Sequence, residues 1–244
     1  MYTRLKIPTL ITGFGALAAL ALGTVLINTP AASADAIYGV DVPAPTAHLH
    51  NVKASETAQT VFAGGCFWGM EMVFSHVKGV TDVVSGYAGG DKAHANYRDS
   101  SSGRYGDAEA VRISYDPSRI SYAELLRIYF STAHDPTEVN RQGPDVGSQY
   151  RSEIFAADAD QARVARAYIA QLNQADVFNQ AIATRVSVGK SFFKAERYHQ
   201  NYGQRHPNSF YIRYNDVPKV NALKKRFPER YSAAFVGSNQ PAGK

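Results

Sequence analysis

The segment AQTVFAGGCFWGMEMVFSHVKG, residues 58–79, indicates how the chain begins to fold. Alternating apolar residues predict a short strand over Gln59–Ala63, and the pair Gly64-Gly65 interrupts it. Apolar residues at helical spacing then predict a helix over Cys66–Val77. The segment therefore predicts a strand, a tight turn and a helix, with Cys66 at the first position of the helix.

The rest of the chain continues this pattern of strands and helices. The order β-α-β-β-α-β over residues 58–157 is that of the split βαβ, ferredoxin-like unit. We therefore expect an α+β two-layer sandwich in which helices cover one face of a mixed or antiparallel sheet. Further strands are predicted over Val80–Tyr87, Glu109–Tyr115, Glu153–Ala157 and Thr184–Val188, and further helices over Ser121–Ala133, Asp158–Asn173, Ala195–Arg205 and Lys219–Phe227.

The composition is that of a protein that folds without metals or crosslinks. Hydrophobic residues make up 45% of the 244-residue chain, which is enough for a sizeable core. The formal charge of +5 is too small and too scattered to indicate nucleic-acid binding. The sequence contains no metal-ligand motif, phosphate-binding loop or dinucleotide fingerprint, so no bound cofactor or metal is predicted.

The N-terminal residues have the features of an export signal. Arg4 and Lys6 precede a long apolar run, and Ala32-Ser33-Ala34 offers a cleavage site after Ala34. An uncleaved membrane anchor is the alternative, because the run approaches the roughly 20 residues that a membrane span needs. We expect an exported protein, periplasmic or secreted, that is attached to a membrane only if the leader is retained.

Four segments are predicted along the chain. Residues 1–34 form the signal peptide, and residues 35–57, which contain Pro43 and Pro45, form a linker. Residues 58–230 form the folded domain. Residues 231–244 form a flexible tail.

Cys66 is the single cysteine of the chain, and its surroundings predict a reactive thiol. At a helix N-terminus, free amides and the helix dipole would lower the pKa of the sulfur. The neighbouring Phe67 and Trp68 would provide an apolar wall for a small uncharged group, and Gly65 would let a substrate approach the backbone. The alternative is an inert core residue, as most free cysteines are.

The run GCFWG, residues 65–69, resembles the signature of the type A peptide methionine sulfoxide reductases. The resemblance extends from about residue 58 to 227 and implies that residues 58–230 are a catalytic domain that reduces the S epimer of methionine sulfoxide. Further matches follow in the family's order: GYAGG at 86–90, the loop tyrosine Tyr97, GDAEAV at 106–111, HDPT at 134–137, NRQGPDVGSQYRS at 140–152 and AERYHQ at 195–200.

The resemblance also implies the roles of individual residues. Cys66 would attack the sulfoxide sulfur while Glu109 protonates its oxygen, leaving methionine and a sulfenic acid on Cys66. A carboxyl group that points from a strand into an apolar site would keep its proton near neutral pH, which suits Glu109. The remaining implied roles are hydrogen bonds to the oxygen from Tyr97 and Tyr150, support of that network by Asp145, and binding of the substrate methyl group by Phe67 and Trp68.

The sequence departs from the family at the second cysteine that many members carry. Ile212 stands where that cysteine is expected, so an internal disulfide is excluded. We therefore expect an external thiol of the thioredoxin, glutaredoxin or glutathione type to reduce the sulfenic acid. The expected partners are proteins or peptides that contain methionine sulfoxide and a thiol reductant, with no nucleic acid, and we expect a monomer.

Two other functions fit the residues taken alone. His134 or His199 could serve as the base of a cysteine-histidine hydrolase or transferase. The 15 tyrosines would also suit an exported binding module without enzymatic activity.

Overall fold

The computed structural model describes residues 38–50 and 56–238. A six-stranded sheet has the order β7-β6-β1-β3-β2-β8, and a two-residue hairpin, β4-β5, stands apart from it. The strands are β1 (Ala58–Gly64), β2 (Val80–Ala88), β3 (Ala108–Tyr115), β4 (Arg141–Gln142), β5 (Asp145–Val146), β6 (Ser152–Ala156), β7 (Arg185–Val188) and β8 (Phe192–Lys194). The helices are α1 (Phe67–Ser75), α2 (Tyr97–Ser100), α3 (Tyr122–Ile128), α4 (Ala159–Gln174), α5 (Tyr202–Arg205) and α6 (Val217–Arg226).

The predicted α+β fold is confirmed. β3 lies between β1 and β2 and is antiparallel to both, and β6 is antiparallel to β1 on its other side. β7 joins β6 in parallel, which makes the sheet mixed. The connection β1-α1-β2 therefore links two parallel strands separated by a third, which is the split βαβ arrangement.

The main core lies on one face of this sheet. Phe62 of β1 packs there with Phe74 of α1 and Leu125 of α3, whereas its neighbour Ala63 packs in a smaller cluster with other alanines. Side chains alternate between the two faces of a strand, so helices α1 and α3 cover the same face. The predicted two-layer arrangement follows from this packing.

Local sequence features fix several helix boundaries as expected. Ser121 and Glu124 form a capping box at the start of α3, and Asp158 caps α4 by accepting a 2.8 Å bond from the backbone N–H of Gln161. Other predictions differ. The predicted helix Ala195–Arg205 is an α-helix only over α5, and the three-residue β8 was missed because it is too short to show an alternating pattern.

The predicted linker is wrong for its described part, residues 38–50. Val42 is buried, and the backbone N–H groups of Gly39 and Val40 both donate to the carbonyl of Ser131. The hydroxyl of Tyr168 donates to the carbonyl of Pro43 at 2.7 Å. These contacts join backbone to backbone or to distant side chains, so the composition of the segment does not reveal them.

The tail is likewise packed where it is described. The backbone N–H groups of Ser232 and Val236 donate to the carbonyls of His76 and Ser75, at the C-terminal end of α1. The prediction of a flexible tail is therefore wrong for residues 231–238. The predicted signal peptide lies outside the described residues, and none of the described helices is long and apolar enough to cross a membrane.

Candidate active site

Cys66 lies at the junction of β1 and α1, as the sequence predicts, and caps the helix with non-helical backbone angles. The preceding Gly65 has φ of +91°, a conformation that side chains disfavour. A Cβ atom at Gly65 would also lie 2.5 Å from Cγ of Gln142. The Gln142 side chain is held by the backbone N–H and carbonyl of Asp135, at 2.9 and 3.0 Å, so glycine is required at this turn.

The Cys66 thiol is buried, with 8% of the residue exposed. Burial raises the pKa of Cys66 well above its usual value, and the carboxyl groups of Glu109 and Asp216 raise it further. The backbone N–H of Trp68, in the first turn of α1, acts to lower the pKa, but by less. The expectation of a lowered thiol pKa is therefore wrong for the free protein, because loss of water outweighs the helix amides.

Glu109 lies on β3 and faces the first turn of α1. Its Oε2 accepts a 3.1 Å hydrogen bond from the backbone N–H of Phe67, the residue that follows Cys66, and this places the carboxyl group where it interacts with the thiol. Burial raises the pKa of Glu109 to about 8, and the charge of Asp145 adds to the shift. The carboxyl group thus keeps its proton at neutral pH, as the sequence analysis expects.

Two tyrosines and Asp145 complete the polar side of the site. The hydroxyl of Tyr211 donates a short hydrogen bond to Oδ2 of Asp145. Burial raises the pKa of Tyr150, and the nearby charges of Glu109, Asp145 and Cys66 raise it further, so this hydroxyl remains protonated beside them. The structure therefore brings Asp145 and Tyr150 near Cys66 and Glu109.

Sequence reasoning did not assign Tyr211 to the site. Burial raises its pKa, and the charge of Cys66 is the next largest cause. The residue immediately precedes Ile212, the position at which the resemblance led us to look for a second cysteine. Its position directly before Ile212 was the signal that could have identified Tyr211.

Aromatic rings form the apolar side of the site. The Phe67 ring is buried and lies 4.9 Å from the His199 ring, between ring centroids. Trp68 is half-buried, stacks on Tyr202 with centroids 3.7 Å apart, and donates its indole N–H to Nδ1 of His199 at 3.3 Å. The predicted aromatic neighbours are thus held in place by two residues, His199 and Tyr202, that come from a distant part of the chain.

Tyr97 is the most exposed of the predicted site residues, at 43%. Its ring lies 4.9 Å from that of His199, and its backbone N–H donates to Oε1 of Glu196 at 2.9 Å. The other oxygen of Glu196 accepts from the hydroxyl of Tyr87 at 2.8 Å. Glu196 therefore ties the start of α2 to β2 and places Tyr97 at the rim of the site.

The hydrogen bonds of the two histidines considered for a hydrolase go to partners other than Cys66. In His134, Nε2 is hydrogen-bonded to Oγ of Ser152 at 2.7 Å and Nδ1 to the carbonyl of Tyr129 at 3.1 Å, and burial lowers its pKa to about 3. In His199, Nδ1 accepts from Trp68. These contacts do not support a cysteine-histidine pair. The described residues also contain no group of three or more His, Cys, Asp or Glu that could hold a metal ion.

Comparison with known proteins identifies the family. The family model described as peptide methionine sulfoxide reductase matches residues 58–231. A peptide methionine sulfoxide reductase MsrA 2 of Mesorhizobium japonicum is 53% identical over 73% of this chain and 90% of its own length. One of Synechocystis is 45% identical over 88% of this chain and 98% of its own length.

Solved structures agree with this result. The crystal structure of Mxr1 from Saccharomyces cerevisiae in reduced form is 30% identical, covers 66% of this chain and 91% of its own, and superimposes with a TM-score of 0.57. The family model covers most of the chain and the relatives are far above 30% identity, so this chain belongs to the peptide methionine sulfoxide reductase family.

Proposed function

We propose that this enzyme reduces the S epimer of methionine sulfoxide in proteins and peptides to methionine, with Cys66 as the nucleophile. The observation that carries the proposal is the placement of Glu109, whose Oε2 accepts the backbone N–H of Phe67, directly after Cys66, and whose carboxyl group holds its proton at neutral pH. A sulfoxide sulfur is attacked readily only when its oxygen is protonated or hydrogen-bonded. Nucleophile and acid are here within reach of one bound sulfoxide.

The reaction transfers two electrons from Cys66 to the substrate. Glu109 gives its proton to the sulfoxide oxygen while the Cys66 sulfur bonds to the sulfoxide sulfur and the thiol proton passes to the Glu109 carboxylate. The oxygen then moves to the Cys66 sulfur, and the bond between the two sulfur atoms breaks. Methionine and a sulfenic acid on Cys66 are the products, and Glu109 ends protonated as it began.

The raised pKa of the thiol is compatible with this sequence. A neutral thiol and a neutral carboxyl group avoid placing two negative charges in one buried site. Substrate binding brings a strong hydrogen-bond acceptor, the sulfoxide oxygen, and the proton of Glu109 moves towards it. The carboxylate that forms can then take the thiol proton, so that the nucleophile becomes ionised when the substrate is present.

The other site residues orient the substrate in this proposal. The hydroxyls of Tyr97 and Tyr150 donate to the sulfoxide oxygen, and Asp145 holds Tyr211 beside them. Phe67 and Trp68 surround the methyl group, which suits rings that are already packed and lose little freedom on binding. Gly65 allows the substrate to approach the backbone at the start of α1.

We also propose that an external thiol recycles Cys66. The chain has one cysteine, and the buried Ile212 stands where a second would be expected. One thiol would displace water from the sulfenic acid to form a mixed disulfide, and a second thiol would release Cys66 and leave with the first as a disulfide. Donors of the thioredoxin, glutaredoxin or glutathione type fit this scheme, and a monomer suffices for it.

Export of the protein is a separate proposal, supported by the sequence of residues 1–34. The positive start, the apolar run and the cleavage site after Ala34 are typical of a signal peptide. Mass spectrometry of the protein from a periplasmic or culture fraction should find an N-terminus at Asp35 or close to it, in place of Met1. A retained Met1 would show instead that the leader anchors the protein in a membrane.

The activity is tested with separated S and R epimers of a methionine sulfoxide peptide and dithiothreitol as reductant. We expect turnover of the S epimer and none of the R epimer, with Cys66→Ser as the inactive control. Omitting dithiothreitol should leave one methionine formed per chain, because Cys66 is then not recycled. Ester or amide cleavage without reductant, and no sulfoxide reduction, would contradict the proposal and favour the hydrolase.

A further inference from the structure

A buried pair of opposite charges lies behind the helix that starts at Cys66. Lys219, near the start of α6, is 2% exposed, and Asp216, just before α6, is completely buried. Nζ of Lys219 lies 3.5 Å from Oδ1 of Asp216 and 5.2 Å from the centroid of the Tyr38 ring. Removing two charged groups from water costs folding free energy that their mutual attraction often does not offset. A functional reason for the pair is therefore worth seeking.

The pair packs directly against the first turn of α1. A Cβ atom placed on Gly69 would lie 2.8 Å from Nζ of Lys219 and would also collide with Oδ1 of Asp216. Gly69 follows Cys66 by three residues and lies in the first turn of α1. The bare backbone at Gly69 thus admits a cation and a carboxylate beside the first turn of α1, where the charges of Asp216 and Lys219 both interact with Cys66.

The charges around Lys219 are predominantly those of acids. The titratable groups that interact with its ammonium are those of Tyr38, Asp216, Cys66, Asp145 and His134. Burial acts to lower the pKa of Lys219, yet the charges of Tyr38, Asp216 and Cys66 keep it above its usual value. The ammonium is therefore positive at neutral pH in a part of the protein where charge is poorly screened.

We propose that Lys219 is the counterion of the Cys66 thiolate, and that Asp216 holds the ammonium in place and limits how strongly it stabilises the ionised sulfur. This inference rests on the proposed nucleophilic role of Cys66. Lys219 acts through the sulfur without touching the substrate, so it is a positioning residue. The two charges influence Cys66 in opposite directions, since a nearby cation favours a thiolate and a nearby carboxylate opposes it.

A purely structural ion pair makes a different prediction from a counterion. If the pair only supported packing, neutralising either member would loosen the same region and change Cys66 in the same direction. If the pair acts through its charges, Lys219→Met and Asp216→Asn change the reactivity of Cys66 in opposite directions. The sign of the two effects therefore separates the two roles.

The experiment measures alkylation of Cys66 by iodoacetamide as a function of pH, by intact-protein mass spectrometry. The chain has a single cysteine, so every adduct reports on Cys66. We expect Lys219→Met to slow alkylation roughly tenfold at a fixed pH below the pKa, which corresponds to a pKa about one unit higher. Asp216→Asn should accelerate alkylation, and the double variant should return towards the rate of the wild type.

Removing Lys219 leaves Asp216 buried without its partner, so Lys219→Met is to be checked by thermal unfolding. If that variant does not fold, the double variant is compared with Asp216→Asn alone. These two proteins differ only in the ammonium of Lys219, and neither contains an unpaired carboxylate at position 216. Effects of the same sign, or rates that the substitutions leave unchanged, would overturn the proposal. Sulfoxide turnover of the wild type is measured separately. If the wild type does not reduce sulfoxides but the two substitutions still change alkylation in opposite directions, the proposed function is refuted and the counterion role of Lys219 is retained.

Discussion

Two buried polar clusters lie near the end of β1, and they are built in opposite ways. In the first, defined by Tyr129, His134, Ser152 and Thr184, the side chains hydrogen-bond to one another or to backbone carbonyls at 2.7–3.1 Å. We call it the His134 cluster. A Cβ atom at Gly64 would lie 2.9 Å from Cγ of His134, so this cluster packs directly against the strand that leads to Cys66.

The second cluster consists of Cys66, Glu109 and Asp145. Its side chains are not linked to one another by a comparable set of hydrogen bonds. Burial is the largest cause of the raised pKa of Cys66, Glu109 and Asp145, and each charge raises the pKa of a neighbour. A fully hydrogen-bonded cluster fixes a structure, whereas buried acids that share a small volume hold protons that can move near neutral pH. The comparison indicates that the His134 cluster stabilises the fold and that the cluster around Cys66 performs the chemistry.

The largest effect should come from removing the thiolate. We expect Cys66→Ser to abolish sulfoxide reduction, because a hydroxyl in this buried site cannot serve as a comparable nucleophile. The overall fold should remain, since serine is close to cysteine in size. Turnover of the S epimer with dithiothreitol measures the effect, and circular dichroism checks the fold. Residual turnover above that of the buffer would remove Cys66 from the mechanism.

Next in size is the loss of the acid. Glu109→Gln should reduce turnover by roughly a hundredfold or more, because an amide cannot give a proton to the sulfoxide oxygen. The pKa of Glu109 is raised to about 8, so its acidic form is present below this pH and lost above it. Because kcat/KM reports the ionisation of the free enzyme, the wild-type kcat/KM should fall as pH rises through about 8.

The pH profile of Glu109→Gln provides the matched control. Its small residual activity should no longer fall near pH 8, whereas Glu109→Asp should retain a pH-dependent decline. A variant that turns over as fast as the wild type would show that another group supplies the proton.

A smaller effect is expected at the aromatic wall. Trp68→Ala should raise KM by roughly tenfold with a lesser change in kcat, because the ring contributes apolar contact and no proton transfer. Tyr202→Leu should change KM in the same direction, since the Tyr202 ring supports the indole through the 3.7 Å stack. A change confined to kcat in both variants would show that these rings orient the reacting groups instead.

The smallest effect on catalysis should come from the His134 cluster. Ser152→Ala removes the hydroxyl that contacts His134, Tyr129 and Thr184, and should lower the free energy of unfolding by about 1–3 kcal/mol. Turnover per folded molecule should stay within about twofold of the wild type. Denaturant titration and S-epimer turnover measure the two quantities. A large loss of turnover with unchanged stability would show that the two clusters are coupled.

Much of the site could be predicted from short stretches of sequence. The turn at Gly65, the helix start at Cys66 and the strand that carries Glu109 are all visible in sequence patterns that span a few residues. The same holds for the caps at Ser121 and Asp158. These features are readable because backbone geometry and hydrogen bonds between near neighbours decide them.

The remaining features depend on contacts between residues far apart in the chain. Tyr211 reaches Asp145 from 66 positions away, and His199 reaches Trp68 from 131 positions away. No local pattern marks such partners. The packed segment 38–50 was missed for a related reason, because its backbone groups make many of the bonds and any residue type can supply those.

The sequence by itself determined which atom is the candidate nucleophile and that a helix begins beside it. Only the tertiary structure decided how that atom ionises. The helix amides that lower the pKa of Cys66 are local, but the burial and carboxyl groups that raise it come from β3, from β5 and from the residue before α6. Electrostatic interactions act through space and strengthen where water is excluded, so the pKa of a buried group follows from packing, which a local sequence pattern does not contain.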